Sequence, residues 1–310
     1  MINKSNIWNG YLDVLTPPYD FDISVQALGS SMPPAIYKDK TYIRALNLSD
    51  NKEVVVKIKS VGKLNEPFLK LEVLFDRDCS TEDINEIKQT LEWMFDFKMD
   101  LKPFYDNMKI EDSKLYAISQ KLKGLKIMTE PNPFEVLVKC VCFQMISFSA
   151  AMKIVKTLVN NFGHTSKIVP KLYIFPSPNE LIDGLSRGKS MLSKQKNQCL
   201  CEISKIACER GLDLNNLREM SNEEIIEYLC SIKGIGIWTA ELFLIWGLKR
   251  YDVIPADDKA ARRILSEFYQ SEKMYDSQHV REYIIKKWGN YSGLMMYYLM
   301  THANMRDIHE

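Results

Sequence analysis

The hydrophobic and polar positions divide the chain into two unlike parts. Within residues 1–102, three segments alternate between apolar and polar residues or are β-branched, with short turn sequences between them: Thr41–Leu48, Glu53–Lys59 and Phe68–Leu74. This pattern is typical of an antiparallel sheet. Helical spacing follows over Thr81–Phe97 and, from Lys102, continues to the end of the chain. The sequence therefore predicts an α+β protein, with an N-terminal antiparallel sheet domain and its helix over 1–102 and a mostly helical region over 103–310.

The second part contains several longer predicted helices. Their expected ranges are Phe134–Phe148, Ala150–Phe162, Ser190–Gly211, Asp276–Trp288 and Tyr291–Met305. Pro133 is a suitable first helical residue, because its missing N–H group would have no intrahelical partner there.

A helix, a glycine hairpin and a second helix form one unit over Glu223–Leu248. Lys233-Gly-Ile-Gly236 interrupts the helical spacing, because glycine adopts backbone angles that other residues avoid. The helix that begins at Ile237 is apolar almost all round, so we expect it to be buried. The unpaired N–H groups at its N-terminus favour binding of a phosphate group.

An acidic pair follows this unit. Asp257 and Asp258 come soon after Pro255, and the next helix opens with three cations: Lys259, Arg262 and Arg263. A hydrophobic core does not require such an arrangement close to a phosphate site, so the segment is a candidate for chemistry.

Composition narrows the class of protein. Hydrophobic residues are 46% and charged residues 26% of the 310 residues, and the formal net charge is +1. Nucleic-acid binding would therefore depend on local patches and backbone groups instead of an overall positive field. No apolar run reaches the roughly 18 residues of a membrane span, so we expect a cytoplasmic protein without membrane contact, or a nuclear one if the source is eukaryotic. The seven cysteines form no Cys-x-x-Cys pair, and no metal site is expected.

Together these motifs resemble the helix-hairpin-helix, Gly/Pro-rich-loop-and-Asp superfamily of DNA base-excision glycosylases. The likeness lies in Ile232-Lys-Gly-Ile-Gly-Ile-Trp-Thr-Ala240 and Pro255-Ala-Asp-Asp258. Within it the chain most resembles the DNA-3-methyladenine glycosylase II family, which removes alkylated bases. Three further segments agree: Pro17-Pro-Tyr-Asp20, Phe143-Gln-Met-Ile-Ser147 and Phe175-Pro-Ser-Pro178. The resemblance implies two helical subdomains with the cleft between them and the hairpin at 232–238.

The resemblance also implies a catalytic carboxylate, which we assign to Asp258. The family's acid precedes a helix whose fifth and sixth following residues are a basic and a β-branched one, and Arg263 and Ile264 fit that count from Asp258. Asp257 is then expected to cap the helix N-terminus. The opposite assignment of the two acids stays open at this point.

Trp238 occupies the position of the lysine nucleophile in strand-nicking relatives. The resemblance therefore implies a monofunctional glycosylase that uses water and leaves an abasic site. Its partner would be double-stranded DNA containing a damaged base, bound by a monomer at the nucleoid. Two alternatives stay open: a glycosylase for oxidised or deaminated bases (8-oxoguanine, hypoxanthine, uracil), and a DNA-lesion binding protein without catalysis. Asp258 favours catalysis, because a carboxylate near DNA phosphates weakens simple binding.

Further contacts follow from the resemblance. Trp238 is expected to stack on the flipped base. Tyr297 and Tyr298 either form a second aromatic wall or belong to the core. Met145 either acts as an apolar wedge in the DNA or belongs to the core, and Gln144 would face the opposite strand.

Most of the predicted DNA contacts come from the hairpin backbone and from cations. The hairpin residues are Gly234, Ile235, Gly236, Ile237 and Thr239, and the cations are Arg187, Lys189, Lys194, Lys196 and Arg263. No cofactor is expected, apart from a monovalent cation that the resemblance implies at the hairpin carbonyl groups.

Overall fold

The computed structural model describes residues 6–14, 16–27, 32–188, 190–209 and 213–309. The strands are β1 (Ile7–Asp13), β2 (Ile36–Lys38), β3 (Thr41–Asn47), β4 (Glu53–Ser60), β5 (Phe68–Phe75), β6 (His164–Thr165) and β7 (Tyr173–Ile174). The helices up to residue 162 are α1 (Phe21–Gln26), α2 (Thr81–Phe95), α3 (Lys102–Glu111), α4 (Ser113–Lys121), α5 (Pro133–Phe143) and α6 (Phe148–Phe162). The later ones are α7 (Pro178–Ser186), α8 (Lys194–Glu209), α9 (Leu214–Glu219), α10 (Asn222–Cys230), α11 (Ile237–Leu248), α12 (Lys259–Phe268), α13 (Ser277–His279), α14 (Ile285–Trp288) and α15 (Ser292–His309), with a π-helical turn over Val280–Ile284 and a 3-10 turn over Gly289–Tyr291.

A five-stranded antiparallel sheet forms the N-terminal part. Its strand order is β1-β5-β4-β3-β2. The three predicted strands are confirmed as β3, β4 and β5, and each lies in the interior of the sheet, where one face packs on the apolar side of α2. The two edge strands were missed, because β1 exposes most of its side chains and β2 is only three residues long. The predicted α+β class is confirmed.

The helical part has two hydrophobic clusters. One gathers α5, α6, α7, α8 and α10, and the other gathers α3, α4, α12 and α15. α11 lies between them: Phe243 and Leu244 pack in the first cluster and Ile245 in the second. This double burial explains why the helix is apolar almost all round. The division of the chain into domains stays a prediction.

A group of buried charges joins the sheet to the helical part. Arg44 on β3 contacts Glu130 at 2.5 Å and Glu135 at 2.6 Å, and Lys139 on α5 contacts both carboxylates at 2.7 Å. Two cations balance two anions, so the interior carries no net charge at this point. Such paired and hydrogen-bonded charges can be buried, whereas a single one cannot without a large cost.

Several helix boundaries differ from the sequence prediction. The helix expected over Phe134–Phe148 ends at Phe143, and the next begins at Phe148 instead of Ala150. The helix expected from Ser190 begins at Lys194, and its predicted end, Gly211, lies outside the described residues.

Among the described residues, no helix combines the length and the apolarity that a membrane crossing needs.

Candidate active site and nucleic-acid interface

The hairpin between α10 and α11 uses its two glycines in different ways. Gly234 has a φ of +99°, and a Cβ atom there would lie 2.9 Å from the Cβ of Cys199 on α8. Gly236 has a φ of −111°, which any residue adopts, and a Cβ atom there would point into open space. The expectation that both glycines serve unusual backbone angles is therefore wrong for Gly236. This residue instead keeps the start of α11 open.

The N-terminus of α11 presents backbone donors toward solvent. The amides of Thr239 and Ala240 both donate to the carbonyl oxygen of Gly236, at 3.0 and 3.1 Å. Glycine has no side chain to cap the helix, so the amides of Ile237 and Trp238 lie among the first-turn donors without an intrahelical acceptor. The side chains of Ile235 and Thr239 are buried, and a DNA contact from either residue would involve its backbone.

Asp258 lies beside this helix start. It is the N-cap of α12: its Oδ1 accepts from the Ala261 amide at 2.9 Å, and its Oδ2 accepts from the Trp238 indole Nε1 at 3.1 Å. Both the carboxylate and the indole are only partly buried. The positive end of α12 stabilises the negative charge. An anchored carboxylate and a partly exposed indole are therefore hydrogen-bonded to each other beside the start of α11.

Asp257 does not cap α12, which corrects the expectation from the sequence. The helix begins at Lys259, so the cap position falls on Asp258. Asp257 instead accepts from Arg281 Nη2 at 2.9 Å, and the same nitrogen donates to Glu241 Oε1 at 2.9 Å. The hydrogen bond from Arg281 lowers the pKa of Asp257, whereas burial raises the pKa of Glu241.

Glu241 also accepts from the Ala256 amide at 3.2 Å. The loop before α12 is therefore held on α11 by Glu241 and on the π-helical turn by Arg281. The pairing of Glu241 with Arg281 was not predicted from the sequence. The available signal was an acid within an otherwise apolar helix, since buried carboxylates require a partner.

The segment between α5 and α6 carries an exposed methionine. Met145 has a φ of +58°, a left-handed conformation that costs a residue with a Cβ about 1 kcal/mol. Its side chain is 99% exposed, so the alternative of a core position is wrong. Gln144 turns inward: its Nε2 donates to the Gly234 carbonyl at 2.9 Å and to Thr239 Oγ1 at 3.0 Å. In this structure the Gln144 amide therefore contacts the hairpin.

The predicted cations lie in different surroundings. Lys196 Nζ donates to the carbonyl oxygens of Cys142 at 3.1 Å and Gln144 at 2.8 Å, and burial lowers its pKa. Lys194 is exposed on the same helix. Arg263 is exposed and pairs with Glu267 at 3.0 Å within α12. Lys189 lies outside the described residues.

The two tyrosines on α15 differ in exposure. Tyr298 is 0% exposed, and its hydroxyl donates to the Leu125 carbonyl at 2.7 Å. The prediction that Tyr298 contacts a base is therefore wrong, because the core encloses the ring. Tyr297 is partly buried against the same cluster, and burial raises its pKa. Its part in a base pocket stays a prediction.

Comparison with known proteins agrees with this architecture. The chain is 30% identical over 186 residues to DNA-3-methyladenine glycosylase 1 of Schizosaccharomyces pombe, which covers 59% of this chain and 76% of that protein. It is 22% identical over 259 residues to the N-glycosylase/DNA lyase of Saccharomyces cerevisiae, covering 72% of this chain and 68% of that one. No protein-family model matches the sequence.

Solved structures share the fold. The 3-methyladenine DNA glycosylase of Archaeoglobus fulgidus superposes with a TM-score of 0.78 at 25% identity, covering 94% of this chain and 97% of that chain. The Schizosaccharomyces pombe 3-methyladenine DNA glycosylase in complex with abasic DNA superposes with a TM-score of 0.52 at 25% identity, covering 63% and 94%. The glycine hairpin, the capping aspartate and these relatives agree, and the chain belongs to the helix-hairpin-helix superfamily of DNA glycosylases, in its alkylated-base branch.

Proposed function

We propose that the protein is a monofunctional DNA glycosylase that flips an alkylated base, such as 3-methyladenine, out of duplex DNA and hydrolyses its N-glycosidic bond as a monomer. The observation that carries this proposal is the Asp258 carboxylate, 3.1 Å from the Trp238 indole nitrogen at the open start of α11. The relatives named as 3-methyladenine glycosylases support the substrate class.

Asp258 would act on the charge that develops during cleavage. Breaking the N-glycosidic bond builds positive charge on the sugar, as in other oxocarbenium-like transition states. A fixed carboxylate stabilises that charge and orients the attacking water. Its two hydrogen bonds hold the group in place before the substrate arrives, so little reorganisation is needed during the reaction. An alkylated base already carries positive charge and leaves without strong acid assistance.

The remaining parts have complementary tasks. The face of the Trp238 ring would stack on the flipped, cationic base. The Ile237 and Trp238 amides would bind a phosphate group at the positive end of α11. Met145 would fill the space that the flipped base leaves in the duplex.

The hairpin carbonyl groups would also hold a monovalent cation. The carbonyl oxygens of Ile232 and Gly234 each accept one hydrogen bond and retain a second lone pair, whereas the carbonyl oxygen of Gly236 already accepts two. Among the described residues, no group of three His, Cys, Asp or Glu side chains could bind a metal ion, so a cation here would depend on backbone oxygens. Such an ion would strengthen the positive potential toward the phosphate.

Water, and not a lysine, would be the nucleophile. The lysine position of strand-nicking relatives is Trp238 here, and Lys249 is bound to Asp96 at the other end of α11. Borohydride should therefore trap no covalent adduct between the protein and substrate DNA. Efficient trapping would contradict the monofunctional assignment, and mapping the modified lysine would identify the nucleophile.

One assay tests the substrate class. Duplexes carrying 3-methyladenine, 7-methylguanine, hypoxanthine, uracil or 8-oxoguanine are incubated with the protein and heated in alkali, which cleaves the strand at abasic sites. Cleavage of the alkylated duplexes that is lost with Asp258→Asn supports the proposal. Preferential cleavage at 8-oxoguanine, hypoxanthine or uracil would assign the protein to oxidised or deaminated bases. Tight binding without cleavage would identify a lesion-binding protein.

A further inference from the structure

The segment that presents Met145 is held by two neighbours from distant parts of the chain. We call residues 144–146 the wedge turn. On one side, Lys196 of α8 donates to the carbonyl oxygens of Cys142 and Gln144, at 3.1 and 2.8 Å. On the other side, Gln144 Nε2 donates to the Gly234 carbonyl and the Thr239 hydroxyl. The wedge turn is therefore fastened between α8 and the glycine hairpin.

The need for this support follows from the backbone. Carbonyl groups at a helix C-terminus lack intrahelical donors, and a cation there satisfies them. Lys196 does so at the end of α5, immediately before the left-handed Met145. A side chain that is 99% exposed has no packing of its own to keep that conformation. The strained backbone is retained only where surrounding contacts determine it.

The same helix also supports the hairpin. Cys199 lies three residues after Lys196, on the same face of α8. A Cβ atom on Gly234 would lie 2.9 Å from the Cβ of Cys199, so the hairpin packs directly on this face. One face of α8 therefore sets the distance between the wedge turn and the phosphate-binding amides.

We propose that Lys196 is a positioning residue that holds the wedge turn on the hairpin, and that it does not bind a DNA phosphate. The inference depends on the proposed function in one respect, namely that Met145 enters the DNA. It predicts that discrimination between lesion DNA and intact DNA depends on Lys196, although the side chain does not touch DNA.

Lys196→Met and Lys194→Met make a matched pair for the test, because both lysines lie in the first turn of α8 but only Lys194 is exposed. Binding is measured to a duplex with a tetrahydrofuran abasic analogue and to the same duplex without it, over a range of salt concentrations. Lys196→Met should reduce the preference for the abasic duplex about tenfold, the equivalent of one hydrogen bond to a charged group. It should leave the slope of log K against log salt unchanged.

If Lys194 contacts a DNA phosphate, Lys194→Met should change the salt dependence of binding and not the preference for the abasic duplex. It should weaken binding to both duplexes equally and reduce the salt slope by about 0.9. Lys196→Arg, which keeps the cation, should restore most of the preference. A Lys196→Met variant with a reduced slope and an unchanged preference would overturn the proposal, because that is the signature of a phosphate contact.

Two measurements distinguish a failure of the Lys196 proposal from a failure of the proposed glycosylase function. Hydrogen exchange without DNA should accelerate at the amides of 144–146 in Lys196→Met, with the core of α8 unchanged; unchanged exchange in the wedge turn would overturn the proposal. A wild-type protein that prefers the abasic duplex but excises no alkylated base would refute the proposed function and leave this inference supported by its own data. A wild-type protein without that preference would overturn the inference.

Discussion

The two ends of α11 are built for different purposes. At the N-terminal end, Gly236 provides no side-chain cap, and the partly exposed Trp238 indole is hydrogen-bonded to Asp258. At the C-terminal end, Lys249 takes a left-handed conformation and its ammonium pairs with Asp96 at 3.1 Å, 4.4 Å from the centroid of the Trp93 ring. One end is fastened to the N-terminal part of the chain, and the other presents unsatisfied donors.

This difference separates stability from activity along a single helix. Contacts at the Lys249 end bury charge and remove it from water, which lowers the pKa of this lysine. Contacts at the Asp258 end leave first-turn amides of α11 without an intrahelical acceptor, where the proposed function places a DNA phosphate. We therefore expect substitutions at one end to change the free energy of unfolding and those at the other to change binding and catalysis.

Asp258→Asn should have the largest effect on excision. The substitution keeps the shape of the side chain but removes the negative charge that would face the sugar, so we expect the rate to fall on the order of 10²–10⁴-fold. Asp257→Asn is the matched control and should lose tenfold or less, an estimate of roughly one hydrogen bond. Single-turnover excision of 7-methylguanine measures both. A larger loss for Asp257→Asn would exchange the roles of the two acids.

Lys249→Met should reduce stability more than any change at the open end. The substitution leaves the buried Asp96 without its cation, which typically costs about 3–5 kcal/mol. Lys233→Met, on the exposed hairpin, should change the free energy of unfolding by less than about 0.5 kcal/mol. Urea unfolding compares the two variants. Equal stability of both would mean that the Lys249 end does not secure the helix.

Substitution of the two hairpin glycines by alanine should affect different properties: stability for Gly234 and DNA binding for Gly236. Gly234→Ala places a Cβ against Cys199 in a left-handed conformation, so we expect a loss of roughly 1–3 kcal/mol. Gly236→Ala should leave unfolding nearly unchanged but weaken binding to abasic duplex DNA, because its methyl group would stand in the open space before α11. Thermal unfolding and equilibrium binding give the two readouts. Unchanged DNA affinity for Gly236→Ala would place the phosphate elsewhere.

Arg281→Met should have the smallest effect on excision, and that effect should appear in the pH dependence of the excision rate. Burial raises the pKa of Glu241, and the Arg281 cation partly offsets that rise. Without it the pKa of Glu241 rises further, so the carboxylate takes up its proton at a higher pH as the solution is acidified. The acid limb of the excision rate should therefore move to higher pH, whereas Arg281→Lys should keep the wild-type profile. A limb that does not move would show that the loop before α12 is positioned by other contacts.

The sequence allowed prediction of features that depend on local residue order. The three interior strands follow from alternation and turn residues, and the hairpin follows from Gly234 within an apolar helical pattern. The choice of Asp258 as the catalytic candidate came from the spacing of a known family, and its catalytic role stays a prediction. The resemblance also gave Met145 as a candidate wedge, but Met145, Ile146 and Phe148 continue the apolar pattern past Phe143 and hid the end of α5 there.

Contacts between distant residues could not be predicted in this way. Lys196 and Gln144 are 52 residues apart, and Arg281 and Glu241 are 40 apart. Local composition marks Lys196 and Arg281 as charged residues on helices, which is the usual state of a solvated surface. The acid at 241 within an apolar helix indicates a buried partner but does not identify it. Only the packing of α8 on the hairpin, and of the π-helical turn on α11, gives these side chains their partners.

The buried charges between the sheet and α5 limit how the protein could be divided. A cut at residue 102 would separate Arg44 from Glu130, Glu135 and Lys139. The helical fragment would then retain two buried carboxylates and only one ammonium group, so one negative charge would lack a partner. We therefore expect residues 103–310 expressed alone to be insoluble or unfolded, and a version with Glu130→Gln, which cancels the surplus anion, to recover part of the yield.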